Sequence, residues 1–441
     1  MLTIEGYLEE SKLDVAVHKL SRRELEITRV ISEHQGSSSV LKLLIDGIRY
    51  PIYANLIDTR DKLYRLFNTR NDKELYSKYL KAIADGRRLL ETNELFRGVA
   101  NLEEAYDCTK PTPSMLKESL PLVKYYGKDG GYYLTSTIII SGIEAGHEKT
   151  YNMSIHRMMY IGGTRFAVRV VPRHLYALYE KSGKNLPVAI LIGVHPLLLL
   201  AASTSLEFGY FELAIVRSIR GDVRLASTPM YQLIVPEGPS IILEGMLTSE
   251  MHDEGPFVDI LQVYDSIRKQ PVLDIHNICL RRKPKPSLHV ILPGGYEHKV
   301  LMGFPREASI YEGVSRVVPE VHGVRLTTGG GGWLNAVVSI SKNTEGDGKN
   351  AILAAFASHP SLKHVVIVDK DIDIDNYEDI EWAIATRVQP DRDVVIIRGA
   401  RGSSLDPSSR DGYTSKMGID ATIPLNEEPD KYRRVRIPRG S

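Results

Sequence analysis

Residues Tyr132–Ile143 read YYLTSTIIISGI, and this stretch sets the character of the middle of the chain. Its β-branched and aromatic side chains suit a pleated, half-buried surface. Working outward, Phe166–Val171 (FAVRVV) alternates and turns Arg169 away from its apolar neighbours, while Val188–Gly193 (VAILIG) is apolar throughout. A run of the second kind fits a strand covered on both faces. Gly and Pro punctuate these runs, as in Val235–Gly245 (VPEGPSIILEG). The middle third therefore predicts a β-barrel or sandwich-like domain.

The flanks have other rhythms. The first hundred residues join strand signals at Val40–Ile48 and Tyr50–Ala54 to a helical pattern over Lys73–Leu90, where Leu75, Leu80 and Ile83 share a face. That predicts a small α/β or α+β domain. The last third alternates helix at Ala351–Ala357, strand at His364–Val368, helix at Asp379–Thr386 and strand at Asp393–Ile397. Such alternation predicts crossover connections and a parallel sheet. Cys108–Ser119, with Pro111, Pro113 and Ser114, reads as a linker, and Lys431–Arg439, with five basic residues, reads as a mobile tail.

Composition narrows the function. A chain of 441 residues is long enough for several cores, so a multidomain protein of α/β and α+β class is expected. Lys and Arg total 56 against 55 Asp and Glu, which leaves no broad positive field for nucleic acid. Cys108 and Cys279 form no CxxC pair, so neither a disulfide framework nor a thiolate zinc site is expected. The opening MLTIEGYLEE lacks the apolar core of a signal peptide. The greasiest stretch, from Leu186 (LPVAILIGVHPLLLLAAS), is broken by His195 and Pro196, so no membrane span is expected. The reading is of a cytoplasmic protein. Gln (five residues), Trp and Cys are scarce, a thermophile-like trait.

Several familiar motifs fail. Gly142–Thr150 (GIEAGHEKT) lacks the spacing of a phosphate loop, and Gly329–Gly332 offers backbone freedom alone. The carboxylates Asp369, Asp371, Asp373 and Asp375 resemble the start of a calcium loop, but Asn376 and Trp382 stand where Gly and Glu are needed. The run is expected to cap the helix that follows.

Four polar features remain: Asn152–Arg157 (NMSIHR), Arg173-His174, Glu212, and Glu254–Asp259 (EGPFVD). Each has a dull reading as a satisfied strand residue, a surface turn or a solvated helix position. Together they have a chemical one. Asn, His and Glu offer O, N and O donors that suit Mn²⁺ or Mg²⁺. Arg157 offers a fork for a carboxylate. Glu254 and Asp259, across a Gly-Pro turn, can divide the roles of ionised partner and protonated acid.

These segments, with Val171–His174, Leu186–Ala202, Ser240–Gly245, His364–Thr386 and Ser415–Thr422 (SKMGIDAT), resemble the UbiD family of decarboxylases over roughly residues 115 to 425. The resemblance implies a small N-terminal α/β domain (1–107), a central flavin-reductase-like split β-barrel (115–300), a C-terminal Rossmann-like α/β domain (301–425) and a basic tail (426–441). It implies prenylated FMN as cofactor, with Mn²⁺ or Mg²⁺ and potassium as a further ion. Asn152, His174 and Glu212 would hold the metal. Asn152, Ser154, Ile155, His156, Arg157, Arg173, His174, Glu212 and Lys416 would hold the cofactor. Arg157, Glu254 and Asp259 would be catalytic, with Asp259 the proton donor. The activity implied is non-oxidative decarboxylation of a small α,β-unsaturated acid by 1,3-dipolar cycloaddition. The favoured substrate is trans-anhydromevalonate 5-phosphate, giving isopentenyl phosphate. 4-Hydroxy-3-polyprenylbenzoate and a non-catalytic cofactor-binding subunit are the alternatives. Arg165, Arg169 and Arg173 could serve a substrate phosphate. A flavin prenyltransferase would supply the cofactor, and a homo-oligomer is expected. Ser240 stands where the family commonly has Glu, and Glu345–Lys349 lacks a common His.

Overall fold

The computed structural model describes residues 2–145 and 148–435. It divides into two units, Met1–Thr69 with Lys78–Leu301, and Arg70–Ser77 with Met302–Ser441. The phosphate-loop near miss includes Gly146 and His147, which lie outside the described residues, as do residues 436–441 of the tail.

In the first unit, nine strands among the described residues form one sheet. Its order is Tyr133–Leu134, Met158–Gly162, Arg165–Val168, Arg268–Arg281, Ile241–Glu254, Leu186–Ile192, Thr137–Ala145 and Glu148–Ile155, with Tyr106–Thr109 added beside Arg268–Arg281. Every pairing in it is antiparallel. Leu186–Ile192 lies between two longer strands, and all but Pro187 is buried, as its unbroken apolar run requires. At its end Gly193 takes φ +66°, and a Cβ there would sit 2.1 Å from the Ser287 carbonyl and 2.8 Å from Ser240. Only glycine fits. The same crowding favours a short residue at 240, where the Ser240 Oγ accepts the Ser287 N–H at 2.9 Å. The apolar run resumes as helix Pro196–Ala202, with Pro196 in its first turn and His195 capping it through Nδ1. Among the described residues no helix is long and apolar enough to cross a membrane.

The N-terminal residues add a four-stranded sheet of Val15–Leu20, Val40–Ile45, Ile52–Ala54 and Leu288–His289. Glu297 fastens it: its carboxylate accepts the Asn55 and Ile57 N–H groups and meets His289 Nε2 at 3.1 Å. His289 Nδ1 in turn bonds Ser136 at 2.6 Å, just ahead of the strand Thr137–Ala145.

The linker reading of Cys108–Ser119 is corrected. Tyr106–Thr109 is a strand in register with Arg268–Arg281, and Pro113–Ser119 is a helix capped by Thr112. The prolines read as breakers, but Pro113 occupies the first helical turn, where its missing N–H costs nothing. The register sets Cys108 opposite Cys279, and the two form a disulfide across 171 residues of sequence. The lack of a CxxC pair argues against a disulfide framework, but strand pairing brings these two distant cysteines together.

The second unit carries a five-stranded sheet in the order Glu320–Leu326, Asn335–Ser341, His364–Asp369, Tyr413–Ala421, Val394–Arg401. Its three central strands are parallel, but both edges are antiparallel, so the expected all-parallel sheet is mixed. Val394–Arg401 returns beside Tyr413–Ala421 through a connection with no long helix, and without that crossover the pair must run antiparallel. The acidic run does not cap the next helix, Tyr377–Arg387; Asn376 does. Instead Arg387 engages Asp369 at 3.0 Å and Asp371 at 2.6 Å, and Arg325 takes Asp375 at 2.6 Å. The described part of the tail is held: Arg434 pairs with Asp379, and Arg387 donates to the Tyr432 carbonyl.

Candidate active site

The strand Glu148–Ile155 supplies the first group of side chains. Alternation places Asn152, Ser154 and, just past its end, His156 in succession on one face. Asn152 Nδ2 donates to Ser154 Oγ at 2.8 Å, and Ser154 meets His156 Nε2 at 2.8 Å. His156 Nδ1 donates to the Arg169 carbonyl at 2.9 Å, so Nε2 must accept. Burial pushes the His156 pKa down to about 4. The ring is a neutral strut whose two nitrogens are both engaged, and it fixes the backbone that presents Arg157. Ile155 is half-buried at the strand's end.

Met153 N–H, one residue along from Asn152, donates to Glu212 at 2.8 Å. Glu212 precedes helix Leu213–Ile219, is 2% exposed, and has no cation partner among the described residues. Burial pushes its pKa up to about 8. His174 begins helix His174–Lys181 and stacks edge-on against Phe208 at 5.6 Å, four residues before Glu212. Burial, aided by the charge of Arg173, lowers its pKa, which keeps the ring a neutral donor. Glu212 thus meets the strand beside Asn152, and His174 meets Phe208 ahead of Glu212; among the described residues none of the three side chains bonds another directly. An amide oxygen, a neutral imidazole and a buried carboxylate without a counter-charge fit a divalent cation such as Mn²⁺ or Mg²⁺.

The second group forms around Arg157. Its Nε and NH2 grip both oxygens of Glu254 at 2.8 and 2.9 Å, and its guanidinium lies over the Phe257 ring at 4.6 Å. Glu254 is fully buried at the end of Ile241–Glu254. Burial opposes the charge on Arg157, but the hydrogen bonds and charge of Glu254 outweigh it and raise the pKa. Asp259 lies past the Gly255-Pro256 turn, with Oδ1 accepting the Leu261 N–H at 2.8 Å. Burial raises its pKa against the pull of the Val263 and Leu261 N–H groups; Asp265 adds to the rise and Arg157 opposes it.

Asp265 is the residue that sequence reasoning missed. The short strands Phe257–Val258 and Tyr264–Asp265 pair with Asp265 opposite Phe257, under the Arg157 guanidinium. Its carboxylate touches Arg157 at 3.2 Å, Arg268 at 2.9 Å and Arg169 at 3.6 Å. The available signal was the turn at Asp259–Gln262, which folds the chain back on itself.

Arg173 is exposed, and Arg165 pairs with Glu250 and Asp274. Lys416 belongs to the second unit, where Nζ donates to the Pro360 and Leu362 carbonyls at 2.6 Å each and lies over Phe356.

Comparison with known proteins decides the family. The 3-octaprenyl-4-hydroxybenzoate carboxy-lyase Rift-related domain matches residues 101–296, and the C-terminal domain of the same carboxy-lyases matches residues 299–421. The chain belongs to the UbiD family. It is 43% identical to an anhydromevalonate phosphate decarboxylase of Aeropyrum pernix, over 99% of this chain and 96% of that one. A protein of the same name from Methanocaldococcus jannaschii is 42% identical, over 97% of this chain and 98% of that one. Among solved structures, the UbiD-class enzyme HmfF of Pelotomaculum thermopropionicum, in complex with FMN, superposes with a TM-score of 0.86 at 33% identity, covering 98% of this chain and 96% of that one. An evolved dimeric form of that enzyme, in complex with prenylated FMN, gives 0.83 at 30% identity, over 99% of this chain and 97% of that one. The protein is thus a carboxy-lyase with a mixed α/β multidomain fold of the UbiD class.

Proposed function

We propose that this UbiD-family enzyme removes CO₂ from trans-anhydromevalonate 5-phosphate to give isopentenyl phosphate, using prenylated FMN and Mn²⁺ or Mg²⁺. The observation that carries the catalytic assignment is the buried two-point grip of Arg157 on Glu254 beside the half-buried Asp259. The names of the archaeal relatives support the substrate, and the complexes of HmfF support the flavin.

When bound, the flavin supplies an electron sink for the carbon that loses CO₂. Arg157 orients the departing carboxylate, and Glu254 holds Arg157. Asp259 keeps its proton in a drier setting and delivers it to the carbon that CO₂ leaves. Asn152, His174 and Glu212 would hold the metal, and Ser154, Ile155, His156, Arg173 and Lys416 are the further candidates for holding the flavin. On this reading the antiparallel sheet is the flavin-binding split barrel and the second unit's sheet is the Rossmann-like domain. The domain limits at 107, 115–300 and 301–425, a homo-oligomeric state, cytoplasmic residence and supply by a flavin prenyltransferase belong to the same proposal.

The test is direct. Purified protein, loaded with prenylated FMN and Mn²⁺, should release isopentenyl phosphate from the phosphorylated acid. Product from 4-hydroxy-3-polyprenylbenzoate alone would redirect the substrate assignment, and no CO₂ from either acid would overturn it. A pH profile tests the acid. Because Asp259 must be protonated to act, kcat should fall as pH rises through its raised pKa. Asp265→Asn removes a neighbouring negative charge, so that alkaline limb should move to lower pH. A limb that stays in place would exclude Asp265 from tuning the acid.

A further inference from the structure

We propose that Arg169 and Arg268, gathered by Asp265 beside Arg157, form the subsite for the terminal phosphate of the substrate. The inference rests on the reading that the acid is a phosphomonoester.

The structure selects among the arginines nearby. Arg165 already meets two carboxylates at the sheet surface, and Arg173 is exposed. Arg169 differs from both. Its side chain is only 18% exposed, yet among the described residues it makes no side-chain hydrogen bond, and Asp265 approaches no closer than 3.6 Å. A guanidinium carries five donors, and among the described residues no side-chain hydrogen bond takes those of Arg169, which leaves them for a ligand. Asp265 is shared: its Oδ1 goes to Arg268 and its Oδ2 to Arg157, both closer than its approach to Arg169.

Charge points the same way. Arg157, Arg169 and Arg268 gather round one carboxylate, Asp265, while Glu254 is taken up by the two-point grip of Arg157. Arg169 and Arg268 thus share a single carboxylate, which Arg157 also uses. Burial lowers the Arg169 pKa, Asp265 opposes this, and the like charges of Arg157 and Arg268 lower it further. An anion placed between Arg169 and Arg268 relieves all of these at once, and phosphate oxygens match a guanidinium fork.

The spacing fits the ligand. With bonds near 1.5 Å, the carboxyl carbon and phosphorus of an extended five-carbon phosphorylated acid stand roughly 7 Å apart. One Asp carboxylate bridges Arg157 to Arg268, so the two cations are separated by two hydrogen-bond lengths and a carboxylate. A carboxylate on Arg157 and a phosphate on Arg169 and Arg268 can belong to one molecule.

The experiment uses the cofactor-loaded enzyme and the variants Arg169→Gln and Arg268→Gln, with Arg165→Gln as a surface control. Losing a charge-assisted hydrogen bond should raise KM for the phosphorylated acid about ten- to a hundredfold, with kcat little changed. The dephosphorylated acid should show the same kcat/KM in wild type and variants. Calorimetric binding of isopentenyl phosphate should weaken by the same factor as KM rises. Unchanged KM, or equal losses with both acids, overturns the subsite and leaves the decarboxylase reading intact. If wild type ignores the phosphorylated acid, the substrate reading falls, and calorimetry judges the subsite alone. Isopentenyl phosphate bound by wild type and lost in Arg169→Gln upholds it; no binding by wild type overturns it.

Discussion

Asp259→Asn is expected to lower turnover by about 10²–10⁴-fold, the usual cost of removing a positioned general acid. The amide is nearly isosteric, so the Leu261 and Val263 N–H groups that meet Asp259 Oδ1 keep an acceptor. Cofactor binding should survive, because among the described residues the Asp259 side chain bonds to its own turn and not to the Asn152–Arg157 segment. The measurement is single-turnover product formation, with flavin absorbance as the control. Loss of flavin together with activity would mean that Asp259 is structural. Wild-type turnover would remove it from the mechanism.

Arg157→Met is expected to abolish decarboxylation and also to destabilise the first unit. Glu254 is fully buried and gives both oxygens to Arg157. Removing the cation leaves that carboxylate uncompensated, which typically costs about 3–5 kcal/mol. Calorimetric unfolding of the cofactor-free protein should show the loss. The double variant Arg157→Met/Glu254→Gln should recover much of the stability and none of the activity, because a neutral amide no longer needs a cation. Unchanged stability in the single variant would show that the pair contributes no net stabilisation.

The split between sequence and structure follows the range of the interactions. The strand Leu186–Ile192 was legible because an unbroken apolar run has few places to go except between two other strands. The helices Asp347–Ser358 and Tyr377–Arg387 were legible from local periodicity. The segments that supply Arg157 and Glu254 were legible because Asn152–Arg157 and Glu254–Asp259 are short contiguous motifs; their pairing is what the structure adds. The helix Pro113–Ser119 was misread because Pro serves both as a breaker and as a helix start, and local chemistry does not separate the two.

What the sequence determined by itself was composed of nearest neighbours: the strand-rich middle, the alternating last third, the turn at Gly255-Pro256 and the family to which its motifs point. What only tertiary structure decided depended on residues far apart in the chain. Cys108 meets Cys279 through strand register, Asp265 reaches three arginines through a hairpin, and Glu212 reaches the Met153 N–H from 59 residues away. The reason is physical. Backbone preference and hydrophobic period act over a few residues, whereas the pairing of one buried charge with another is settled only when strands close on each other and water leaves the space between them.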